Sequence, residues 1–205
     1  MGALIQTFGP PAVAFVLSGG FATIELLTTR YRHTYFLLLP PFRCWALYIY
    51  AFMYATVGLA LALVLTYLIQ ARVLRVEGLG LDQSWLRALY VGVATKGFLQ
   101  FSVVSIGEER IGPATIMKAF EPAILHAITI DEDNLVKNYL DPYAQRYPVV
   151  ADVRKRILDD VPANMPKQER QAFEMDIRRE AKTSRDAMRA TLNAYGRNTI
   201  KRLFP

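Results

Sequence analysis

The sequence predicts an all-α membrane protein, with two to three transmembrane helices followed by a cytoplasmic helical domain that ends in a long C-terminal helix. Two apolar runs and one shift of composition predict it. Residues 44–71 contain no charge and few polar side chains. As a helix rising 1.5 Å per residue the run is about 42 Å long, enough to cross a hydrocarbon core of about 30 Å. Residues 8–27 are charge-free up to Glu25 and are also long enough to span. Beyond Ser105 the character changes, because residues 1–104 hold ten charged side chains and residues 105–205 hold 32. The predicted division is a transmembrane domain over 1–104, with spans at about 8–27, 44–71 and a third candidate at 88–106, and a cytoplasmic helical domain over 105–205.

In the first span Pro10 and Pro11 fit an opening helical turn, and Ser18-Gly19-Gly20 offers a small surface for close helix contact. No basic leader region precedes Glu25, so residues 1–27 read as retained. The junction at 28–43 carries Arg30, Arg32 and Arg43 without an acid. Within it, residues 35–42 are apolar but broken by Pro40 and Pro41, an interfacial or re-entrant piece too short to cross. The second span is flanked by Arg43 on one side and Arg72 and Arg75 on the other, with Trp45, Tyr48, Tyr50 and Tyr67 near headgroup level. Segment 88–106 is interrupted by Lys96 and Gln100; it reads either as a third span or as a buried segment in which FLQFSVVSI suits a strand. The positive-inside rule places the junction in the cytoplasm. Three spans, with the N-terminus outside and the C-terminus inside, satisfy that rule, whereas a two-span hairpin leaves three arginines outside.

The soluble half reads as helical. Gly112-Pro113 opens a segment that Pro122 ends or kinks, and Asp131, Glu132 and Asp133 suit the positive N-terminal dipole of a helix over 134–147. Pro148 separates this from 149–161. Asn164 then caps a long helix from Met165 to about Ile200, with Pro166 in its first turn. The net charge of +6 divides as +4 over 1–104, −3 over 105–150 and +5 over 151–205, placing the basic excess at the membrane flanks and the C-terminal end.

The chemistry-bearing residues are few. His33 and His126 stand at no metal-ligand spacing, Cys44 is the sole cysteine, and no phosphate loop, nucleophile elbow or HExxH pattern occurs. Neither an enzyme nor a metal or cofactor site is expected, and the Asp131–Asp133 cluster reads as a helix start. At 100° per residue, Phe173, Ile177, Ala181, Met188, Leu192 and Tyr195 share one face of the C-terminal helix. Arg178, Lys182, Arg185 and Arg189 form a basic stripe beside it. That stripe is either a solvated face, with Glu174 placed to pair with Arg178, or a site for a nucleotide, an oligonucleotide or anionic lipid headgroups. Within the membrane the ionisable candidates are Glu25 and Lys96, lining a pore or reaching the interface. Ala51, Ala55, Gly58 and Ala62 make a small-residue seam for helix packing on the second span.

The arrangement of GGFATIELLTTRYR at 19–32, a charge-free span and IGPATIMKAF at 111–120 resembles, in overall plan, the short transmembrane effectors of bacterial anti-phage defence. These include effectors paired with a nucleotidyltransferase in Hailong-type systems. The resemblance covers the layout of most of the chain. It implies an inner-membrane homo-oligomer whose soluble part responds to a nucleotide-derived signal, through Arg178, Lys182, Arg185 and Arg189, and whose spans then permeabilise the membrane. The alternative is a structural or adaptor protein that presents Phe173, Ile177, Met188 and Leu192 to a protein partner.

Overall fold

A computed structural model gives the fold and describes residues 2–41, 43–71, 73, 83–99, 104–106, 109–111, 113–160 and 167–205. Apart from one short ribbon the described residues are helical: α1 (Gly2–Thr29), α2 (Tyr35–Leu38), α3 (Trp45–Gln70), α4 (Ser84–Leu99), β1 (Val104–Ile106), β2 (Glu109–Ile111), α5 (Pro113–Arg146), α6 (Val150–Asp159), α7 (Lys167–Met175), a π-helical turn at Asp176–Glu180, α8 (Ser184–Tyr195) and α9 (Arg197–Leu203). They form two compact units. The first comprises residues 1–30 and 45–128, the second residues 31–44 and 129–205.

In the first unit, α1 and α3 are long and apolar enough to cross a membrane. They pack antiparallel at close range because small residues face one another. A Cβ on Gly58 would fall 1.9 Å from Ser18 Oγ, and one on Gly19 would fall 2.6 Å from the Ala51 carbonyl oxygen. Phe15 meets Phe52 edge to face at 5.9 Å. Helix α4 runs parallel to α1, with Trp85 against Gly9, Gly92 against Leu17, and Ser18 hydrogen-bonded to Thr95 at 2.7 Å. Thr95 gives its own proton to the Val91 carbonyl at 2.6 Å, so Ser18 is the donor to Thr95. Ala14, Ala62, Ala88 and Val91 close the centre of the three helices.

The candidate segment 88–106 contains both a helix and, as the alternative reading expected, a strand. Among its described residues, α4 runs to Leu99, and Val104–Ile106 pairs antiparallel with Glu109–Ile111, Val104 opposite Ile111. The 16 residues of α4 reach about 24 Å, short of a hydrocarbon core. The β-branched Val104 and Ile106 favour an extended backbone. Three prolines also act otherwise than expected. Pro10 and Pro11 lie inside α1, and Pro122 inside α5, which continues for 34 residues through the Asp131–Asp133 cluster. One missing amide interrupts a single hydrogen bond, and a long apolar helix retains the rest.

The second unit surrounds a core of Leu140, Val153, Ile157, Ile177, Met188 and Leu192, closed by Ile200 and Phe204. Its C-terminal part is not one long helix. After the π turn, Ala181 is extended, its carbonyl accepting from Arg154 of α6. Thr183 and Asp186 then form a reciprocal capping box that starts α8 (Asp186 N–H to Thr183 Oγ1, 3.1 Å; Thr183 N–H to Asp186 Oδ2, 2.8 Å). Gly196, at φ 77°, separates α8 from α9. The hydrophobic phase survives both interruptions because each piece folds onto the same core.

Candidate functional site

The connector between α1 and α3 belongs to the second unit. Within it, Tyr35–Leu38 is a single helical turn whose Leu37 is 5 % exposed and sits in the core with Val136 and Met188. Phe36 stands edge-on to Tyr139 of α5, ring centroids 5.4 Å apart, and its ring is covered by the Arg197 guanidinium at 5.1 Å. Tyr31 Oη and Thr129 Oγ1 are 3.1 Å apart. His33 lies 3.3 Å from where a Cβ on Gly196 would be, so the left-handed turn there also makes room for the imidazole. Burial first, and Arg32 second, lower the pKa of His33. Four apolar residues in a short loop between two long apolar helices were the available signal, but they cannot name the core that receives them.

The predicted basic stripe is redistributed. Arg178 lies exposed in the π turn and Lys182 exposed in the break, while Arg185 and Arg189 lie on α8. Arg185 pairs with Asp141 and Arg189 with Asp133, both acids from α5. The four cations share no single helix face, because they lie on three separate pieces of chain, the π turn, the break and α8. A cleft of about 750 Å³ between α7 and α8 holds Arg189 beside Glu169, Asp176 and Asp186, more acid than base. The apolar stripe Phe173, Ile177, Met188 and Leu192 is buried in the unit's own core, so those side chains offer no surface to an adaptor's partner. Tyr195 stands edge-on to Phe173 at 5.1 Å, and burial raises its pKa.

In the first unit the seam Ala51, Ala55, Gly58 and Ala62 faces α1 of the same chain. Glu25 is exposed near the end of α1, and Lys96 is on α4 with its side chain outside the described residues. Two charged residues that periodicity passed over lie deeper. Arg87 is 6 % exposed, and Glu121 of α5 accepts from Tyr54 at 2.9 Å and Tyr50 at 3.5 Å. Much of the described surface of α3 is apolar. Only 22 % of the apolar stretch of α3 is buried within the chain, and Ile49, Phe52, Leu63 and Val64 are exposed. Exposed aromatics mark both ends: Trp45 and Tyr48 at the start of α3, Tyr67 near its end and Trp85 at the start of α4. The 23 residues from Trp45 to Tyr67 span about 33 Å, close to the thickness of a hydrocarbon core.

No protein-family model matches the chain, and comparisons with curated proteins and with solved structures find no match.

Proposed function

We propose that this chain is an integral membrane protein whose helical second unit controls the packing of its apolar helices, and that copies of it form a channel gated in this way. The observation that carries the reading is the connector. The units are joined at three places, 30/31, 44/45 and 128/129, and the segment between the first two is built into the second unit's core through Leu37 and Phe36. Any rearrangement of that core reaches the end of α1, the start of α3 and the middle of α5 together. Such a coupling lets a ligand that prefers one core arrangement shift the population of the other unit.

The membrane part of the reading rests on the exposed apolar face of α3 and its two aromatic ends, which in water would cost about 25 cal/mol for each Å² left uncovered. The path of the chain supports an odd number of crossings. Helix α3 leads away from the connector, α4 starts beside Gly9 at the opposite end, and Thr129 of α5 returns to Tyr31. The return is made by α4 and the first half of α5 rather than by one span. With Arg30, Arg32 and Arg43 in the connector, the positive-inside rule puts the second unit in the cytoplasm.

Purified protein reconstituted into dye-loaded liposomes tests the channel. The wild-type chain is expected to pass monovalent ions, and Phe36→Ala, which removes the ring between Tyr139 and Arg197, is expected to change that flux at equal protein per vesicle. Vesicles as tight as protein-free ones, with either chain inserted and folded, would refute gating and conduction together.

A further inference from the structure

The connector is apolar on two sides. Tyr35 N–H donates to the Tyr31 carbonyl at 2.8 Å and Leu39 N–H to the Tyr35 carbonyl at 3.0 Å. Residues 31–39 therefore wind through about two helical turns. Tyr31, Thr34, Leu37 and Leu38 are buried, as the inner side of this element. Arg32, Tyr35 and Leu39, spaced i, i+3, i+7, lie within about 60° of arc on the other side. There Tyr35 is 46 % and Leu39 52 % exposed, with the exposed Arg32 beside them. Packing on the second unit's core needs only the inner side. The outer one leaves a ring and a leucine facing whatever surrounds the connector.

Charge and tether identify those surroundings. Arg197 of α9 reaches the same element: its guanidinium lies over Phe36, 5.1 Å from the ring centroid and one helical turn on from Arg32. Arg32 and Arg197 pair with no carboxylate among the described residues. Between Glu25 and Glu77 the sequence holds no acid, while Arg30, Arg32 and Arg43 fall within the connector or at its edge. Tyr35 stands six residues beyond the end of α1, and Leu39 six before the start of α3. A chain extends by at most about 3.5 Å per residue, so each lies within about 21 Å of an end of an apolar helix. Beside the end of a membrane-crossing helix, a tyrosine and a leucine enter the boundary between headgroups and acyl chains, and guanidinium groups bond the phosphate oxygens. A protein partner could match the apolar residues or the charge, but the bilayer surface is brought to this face by the chain itself.

We propose that the outer face of the connector, Arg32, Tyr35 and Leu39 together with Arg197, lies in the cytoplasmic headgroup layer and binds anionic phospholipid. This rests on the membrane reading above and adds a lipid preference that an apolar helix alone does not require. The test places a fluorophore on Leu39→Cys in a Cys44→Ala background, with the full chain in vesicles of equal parts phosphatidylcholine and phosphatidylglycerol. One lipid or the other is brominated near its headgroup. Bromine quenches at contact, so the two quenching levels give the relative affinity for the two lipids. Phosphatidylglycerol is expected to be preferred by about fivefold or more, the effect of one arginine at an anionic surface. Arg32→Gln with Arg197→Gln is expected to remove most of that preference. Equal quenching by the two lipids, or a preference unchanged in the double variant, overturns the anionic site. Quenching by aqueous iodide and by neither lipid puts the face in water, and protection from both assigns it to a protein contact; either result overturns the proposal. The same fluorophore on Leu63→Cys, exposed on α3, separates the two readings. A chain quenched by lipid there but not at Leu39→Cys loses only this interface, whereas one quenched at neither position loses the membrane reading as well.

Discussion

Gly58 shows how little room the packing of α1 on α3 leaves. A methyl there would fall 1.9 Å from Ser18 Oγ and 2.4 Å from its Cβ, and Ser18 is not free to turn away because its hydroxyl is bonded to Thr95 of α4. Gly58→Ala must therefore spread three helices or break that bond, and overpacking of this kind costs about 1–3 kcal/mol. Thermal unfolding in detergent should show that loss. Ser18→Gly, added to Gly58→Ala, should recover most of it, because the obstructing atoms go while the Ala14 carbonyl, 3.2 Å from the new methyl, is tolerated. An unchanged melting temperature for Gly58→Ala would show that the helices do not approach as described. The seam was legible from the spacing of Ala51, Ala55, Gly58 and Ala62. Its mate was legible too, as Ser18-Gly19-Gly20, but nothing in either string states that the two meet within one chain.

At the scale of elements, the C-terminal third shows where periodicity misleads. Phe173, Ile177, Ala181, Met188 and Leu192 keep a helical phase across a π turn and a three-residue break because all five point into one core, so the apolar pattern alone cannot reveal the interruption. The Thr183-Ser184-Arg185-Asp186 string could have revealed it, as a cap with an acid three residues on. The partners of Arg185 and Arg189 could not be read, since Asp141 and Asp133 lie on another helix far back in the chain. These pairs are close to half exposed, so Arg185→Ala or Arg189→Ala should each cost less than about 1 kcal/mol. Reversing both, Arg185→Asp with Arg189→Asp, sets like charges against α5 and should lower the melting temperature further. Adding Asp133→Arg and Asp141→Arg should restore it. Equal stability of the doubly reversed and fully swapped chains would mean that α5 and α8 are not held in this register by their charges.

For the whole molecule, the decisive property is which ends of the apolar helices share a side. Trp85 meets Gly9, so the start of α4 lies beside the first part of α1, away from Thr29 where α1 ends. The two long apolar helices and the arginine-rich connector were readable as local composition. The return path was not, because it is divided between a helix too short to cross and the first half of α5, and only long-range contacts place Glu121 beside Tyr54. If this arrangement sits in a bilayer, single cysteines introduced into a Cys44→Ala background must sort into two classes. Arg32→Cys in the connector and Lys201→Cys on α9 should react alike, with a membrane-impermeant maleimide reaching them in inverted vesicles and not in intact cells. Gln83→Cys, exposed just before α4, should show the opposite pattern. Labelling of all three from the same face would require that α1 and α3 lie on the membrane or outside it, and the exposed apolar face of α3 would then need a protein partner to cover it.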